Sequence, residues 1–161
     1  MSKFAASTDV PVEKSKAEIE ATVRRYGADG FMSAWADDRA TIQFRCQNRH
    51  VRFTMDLPKR TEKRFTEYKR SDFGPTHTRE PVAAAKLWEQ ACRQKRRALA
   101  LLVKAKLEAI DSNIGTFESE FLANIVLPDN STVYERTKDH IAIAYESGRM
   151  PNLLSDLRGK A

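Results

Sequence analysis

A chain of 161 residues, 41% hydrophobic and 31% charged, with a formal net charge of +6, can bury a core of its own and is too apolar to be a disordered segment. Cys46 and Cys92 lie far apart without C-x-x-C spacing, which argues against a disulfide scaffold or a zinc ribbon and for two reduced thiols. The longest apolar run, ALALLV, stops at Lys104, well short of the ~20 residues of a membrane helix, and the opening MSKFAASTDVPVEKSK has no signal-peptide apolar segment. The expected location is the cytoplasm, with no membrane partner.

The charge is unevenly placed. Residues 1–36 balance, residues 37–110 hold 18 Lys/Arg against nine acids, and residues 111–161 hold five against eight. A positive middle implies a polyanionic partner, unless it serves solubility alone.

Residues 1–14 read as a flexible leader, small and polar with Pro11 near its end, and residues 15–161 as one α+β domain. Ser15 with Glu18 is a capping-box pattern, and Ile19, Thr22, Val23 and Tyr26 recur at helical spacing before Gly27, so a helix is expected from Lys16 to Tyr26. Three alternating segments follow, GFMSAWADD, RATIQFRCQNR and HVRFTMDLP. Ile42, Phe44 and Cys46 share one face with Val51, Phe53, Met55 and Leu57. Asp37-Asp38 and Asn48-Arg49 supply the turns, and the antiparallel meander needs a cover on its apolar face.

Residues 58–80 form a basic loop carrying Lys59, Arg60, Lys63, Arg64, Lys69 and Arg70, interleaved with Phe65, Tyr68 and Phe73. Phe65 and Tyr68 would suit a short helix. The segment is either a solvated insertion pinned by its rings or a basic arm whose rings stack on bases.

A long helix is expected over residues 81–112, opened by Pro81. At 100° per residue from Lys86, the cations Lys86, Arg93, Arg97 and Lys104 fall within about 20° of one line. Leu87, Trp88, Ala91, Cys92, Ala98, Leu99, Leu102, Val103, Ala105 and Ile110 occupy an arc from about 90° to about 260°. The helix should therefore lie on the sheet with Trp88 and Leu99 inward. The cation row would then be either a wet face or an anion-binding face, with Lys95 and Lys106 snorkelling past the core edge. Residues 116–150 read as a C-terminal helical segment: a short helix with Phe117 and Phe121, an apolar piece from Ile125 to Leu127, and a final helix opened by a Thr132/Glu135 capping box and closed by Gly148.

No site chemistry stands out. His50, His77 and His140 lack metal-set spacing, no phosphate-loop or nucleophile-elbow pattern occurs, and Asp129 after Pro128 reads as a turn residue. The expectation is a non-enzyme without metal or cofactor.

Two stretches, VPVEKSKAEIEATVRRYGADGF and RALALLVKAKLEAIDSNIGTFESEFLANIVLPDNSTVYE (Arg97 to Glu135), resemble a family of small phage- and prophage-encoded proteins with no assigned activity. The resemblance implies a phage accessory gene acting in a bacterial host cytoplasm, and carries over no site residues. The element order is also similar to double-stranded-RNA-binding domains and to single-strand annealing proteins, but EPVAAAK stands where the RNA-binding domains place a basic cluster.

Two functions follow. The first is nucleic-acid binding, to single- or double-stranded DNA in phage recombination or replication, through Lys86, Arg93, Arg97, Lys104 and the six loop cations, extended by Arg45 and Arg52 on the open sheet face; an annealing role would add a homo-oligomer. The second is a protein-interaction module acting on an acidic surface of a host defence complex, with the acidic C-terminal segment as a partner face.

Overall fold

A computed structural model describes residues 8–36 and 38–151. Asp37 of the expected first turn and most of the expected leader, residues 1–7, fall outside the described residues.

The chain is α+β. Helix α1 (Val12–Arg25) leads into a three-stranded antiparallel meander of β1 (Gly30–Ala36), β2 (Arg39–Cys46) and β3 (Arg49–Asp56), in the order β1-β2-β3. Next come a single helical turn, α2 (Lys63–Thr66), and a small hairpin, β4 (Glu67–Lys69) with β5 (Thr76–Thr78). The long helix α3 (Pro81–Asp111) and two further helices, α4 (Phe117–Phe121) and α5 (Val133–Ser147), complete it.

Strand alternation does what the sequence pattern requires. Ile42, Phe44, Cys46, Val51 and Phe53 point to one face and are buried against Ile19 and Val23 of α1, Leu99, Val103 and Leu107 of α3, and Phe117 and Phe121 of α4. Phe121 sits edge-on to both Phe44 and Phe53, with ring centroids 5.6 and 6.2 Å apart. The turn between β2 and β3 is Gln47-Asn48, both at positive φ, one residue earlier than expected, so Arg49 opens β3 opposite Cys46. Beyond β3, Ile125 bridges to Val51, and the Val126 amide donates to the His50 carbonyl at 2.8 Å, closing that sheet edge.

Two helix expectations are corrected. Helix α1 starts at Val12, four residues early, with Pro11 as N-cap, so part of the expected leader is helical and Ser15 lies inside the helix, buried, rather than capping it. Pro11 fixes an extended φ, and the Ser15 amide already donates to the Pro11 carbonyl, which leaves the Ser15 hydroxyl nothing to cap. The Thr132/Glu135 box, by contrast, is present in both directions.

The second correction concerns α3. On the wheel that puts Lys86 at zero, its buried residues Cys92, Leu99, Ala100, Val103 and Leu107 span about 220° to about 320°. Trp88 and Leu99 do point towards the body, but Leu87 and Leu102 are 40% and 45% exposed. The helix has rolled because α1 lies alongside it. Thr8, Glu18 and Tyr26 meet Gln90, Arg97 and Glu108, offsets of 82, 79 and 82 residues, so α1 and α3 run parallel. Small Ala100 lets α1 approach, and half of the apparent apolar arc is turned to solvent.

Candidate nucleic-acid interface

Residues 58–97 hold twelve Lys/Arg against five acids, whereas residues 107–135 hold six acids and no Lys or Arg. Helix α3 links these regions along about 46 Å. Its last turn holds Glu108 and Asp111 and no base, so these acids add to the negative C-terminal end of the helix dipole, while its first turn is uncharged behind Glu80. The molecule has a basic pole at residues 58–97 and an acidic stretch at residues 107–135, of which Glu120, Glu135 and Asp129 are paired with Lys106, Arg52 and Arg136.

The basic pole is assembled by packing. The Trp88 indole Nε1–H donates to the Pro58 carbonyl at 2.7 Å, and the Arg60 guanidinium lies 4.0 Å above the Trp88 ring. Phe65 is buried beneath α2, which packs on α3. Tyr68 stacks on His77 at 5.3 Å, and Arg79 donates to the Phe65 and Glu67 carbonyls. The segment 58–80 is thus a folded flap, and of its three rings only Phe73, at its tip, is fully exposed.

The candidate cations divide into engaged and unengaged. Arg97 pairs with Glu18 across the α1–α3 seam. Arg93 donates twice to the Gln90 side chain, at 2.9 and 2.8 Å, and stands 3.9 Å from Glu89. Arg64 pairs with Glu62 at 2.6 Å and Lys59 with Asp38 at 3.6 Å. Lys63, Lys69, Arg70, Lys86 and Lys104 are exposed and have no ion pair among the described residues. Lys104 is remote, about 27 Å along α3 from Lys86.

Arg45 and Arg52 lie on the opposite sheet face, away from the pole. The Asp29 carboxylate accepts from Arg45 at 2.7 Å, which raises the Arg45 pKa and holds that of Asp29 below its ordinary value. Arg52, its side chain 14% exposed, donates to Glu135 at 2.9 Å and to the Asn130 carbonyl at 2.8 Å, tying β3 to the start of α5. Arg52 is structural, not a free phosphate contact.

Between the N-terminus of α1, the end of β1 and α3 opens a cleft of about 420 Å³, within the size range of ligand sites. Trp35, 74% exposed, and Trp88 line it with Arg93 and Arg96. Among the described residues Arg96 has no ion pair, and its buried Nε meets no acceptor, an unmet donor beside the cleft. Glu13 and Glu89 also line the cleft, so its walls are balanced, and a further cation, Arg60, stands beside it over the Trp88 ring. Cys92 lines it as well. Burial pushes its thiol up, against the pull of Arg96, Arg60 and Lys95, so it stays neutral at pH 7.

Sequence reading missed Trp35 and Arg96. Their signals were a Trp near the end of a strand, flanked by small residues, and an Arg inside the buried arc of α3. Among the described residues no cluster of His, Cys, Asp or Glu could hold a metal, and no helix is long and apolar enough to cross a membrane. In comparisons with known proteins, no family model, no curated protein and no solved structure matches the chain.

Proposed function

We propose that this protein is a non-enzymatic nucleic-acid-binding protein, a phage accessory factor serving DNA recombination or replication in a bacterial cytoplasm, and that it takes single-stranded nucleic acid at the basic pole. The observation that carries the proposal is the Trp35–Trp88 cleft with the unsatisfied Arg96 in its wall, beside a segment rich in exposed cations. Unpaired bases offer flat faces to tryptophan, worth about 1–3 kcal/mol per stacked base, while phosphates neutralise those cations and release counterions. A duplex keeps its bases stacked inside, so only its backbone would engage.

The test is fluorescence titration with single-stranded and duplex oligonucleotides of equal length at rising salt. Quenching of the tryptophans by the single strand, lost in Trp35→Ala and weakened log-linearly by salt, supports the proposal. Equal binding of duplex and single strand by wild type and Trp35→Ala alike refutes the cleft's role.

A second reading, a module that binds a host protein, draws support from α5. One line of the helix exposes Tyr134, Ile141 and Tyr145, with Ile143 exposed on the opposite side. It predicts retention of a host partner by the wild type that is lost in Ile141→Asp, with no dependence on Trp35.

A further inference from the structure

We propose that the outward face of α3 is a self-association seam, on which a second copy of the chain lays its own α3 antiparallel about an axis at Ala98. The roll of the helix creates this face. Opposite the buried arc, from about 60° to about 160° on the same wheel, lie Leu87, Ala91, Ala98, Leu101, Leu102 and Ala105. Leu87, Leu102 and Ala105 are exposed, and Ala91, Ala98 and Leu101 are half-buried. From Leu87 to Ala109 it runs about 33 Å, with a helix-contact width of about 10 Å. The resulting patch of roughly 330 Å² falls below the roughly 800 Å² per partner of a stable interface, so the association it supports is weak.

The sequence of the face specifies its occupant. Alanines stand seven residues apart at 84, 91, 98 and 105, beside a second heptad row of Leu87, Gln94, Leu101 and Glu108. A sustained seven-residue repeat is what a facing helix reads, and alanine rows let two helix axes come close. The row is also its own complement when reversed. With Ala98 on the axis, Ala91 meets Ala105 of the second copy, Leu87 meets Ala109, and Gln94 meets Leu102.

Charge chooses the antiparallel sense. A parallel pair would align the cationic halves of α3 along their whole length. The antiparallel pair places Lys86, which has no ion pair among the described residues, beside Glu108 and Asp111 of the second copy. Near the axis Arg97 approaches its symmetry mate, and Lys104 approaches Arg93, but both arginines are already held, by Glu18 and by Gln90 with Glu89. A lipid surface fits less well, because alanines insert little apolar surface. In addition, Lys95 and Lys106, which flank the face on its other side, already donate to the Asp56 and Glu120 carbonyls. This inference does not rest on the nucleic-acid proposal.

Sedimentation velocity on the full chain, from micromolar to sub-millimolar concentration, should give a reversible monomer–dimer equilibrium. Ala98→Glu should leave it monomeric throughout with an unchanged far-UV spectrum and melting temperature. Under mild oxidation Ala98→Cys should cross-link to a dimer, while Leu87→Cys, about 33 Å from its mate in this register, should not. A chain monomeric at every concentration, an Ala98→Glu variant that still dimerises, or cross-linking through Leu87→Cys would overturn the proposal. Binding to anionic vesicles that Ala98→Glu abolishes would overturn it too, assigning the face to a lipid surface.

Discussion

Replacing Lys63, Lys69, Arg70 and Lys86 together by glutamine removes four exposed cations that hold no carboxylate of their own among the described residues. If each neutralises one phosphate of a single strand, the log Kd against log salt slope falls by about 0.7 per contact, or about 2.8 in all. Between roughly 50 and 200 mM salt the wild type would then lose roughly 50-fold more affinity than the variant. The matched control is Arg45→Gln with Arg52→Gln, which deletes cations that already have partners and face away from the cleft. It should leave the slope within error of wild type. Anisotropy of a labelled oligonucleotide across a salt series reads both quantities. A slope unchanged in the fourfold variant, or reduced equally in the control, would refute the division into engaged and unengaged cations.

Leu107→Ala, at a buried site facing the sheet, should cost about 2–5 kcal/mol in urea unfolding, whereas Leu102→Ala on the outward face should cost less than about 0.5 kcal/mol; equal costs would mean that α3 is not rolled. Arg52→Ala should cost about 2 kcal/mol, since it leaves the Asn130 carbonyl and Glu135 without their charged donor. Glu135 is held below its ordinary value of 4.5, mainly by the Thr132 amide at the capping box, with Arg52 assisting. Its contribution to stability is therefore present above about pH 4.5 and lost as pH falls below it, and Glu135→Gln should flatten that limb of a melting-temperature profile. Cys46 and Cys92 are buried and their thiols raised by burial, so reaction with a thiol reagent at pH 7.5 should be slow in the folded chain and fast in denaturant.

The sequence pattern disclosed what depends on local chemistry. Alternation at Ile42, Phe44, Cys46, Val51 and Phe53 defined the buried sheet face, and the Thr132/Glu135 box located the start of α5, because each is read from residues a few positions apart. What stayed hidden depended on distant partners. Nothing near Arg97 announces Glu18, 79 residues away, and nothing near Arg52 announces Glu135, 83 residues away. A helical wheel sorts grease from charge but cannot decide which part of a wide apolar arc meets the body. That was settled by α1 lying parallel to α3, a tertiary fact. The alanine heptad was in plain view, yet it gains meaning only once its face is known to point outward. The cleft, too, joins Trp35 to Trp88, 53 residues apart in the sequence, beyond any motif.

The most direct measurement is photo-cross-linking of a single-stranded oligonucleotide carrying a halogenated pyrimidine, with the adducts located by peptide mass spectrometry. Adducts at Trp35 and Trp88, joined by Phe73 at the flap tip and suppressed in Arg96→Gln, are the outcome a basic-pole site requires. Adducts confined to the open sheet face around Arg45, or to α5, or none under conditions where the strand is bound, would contradict it.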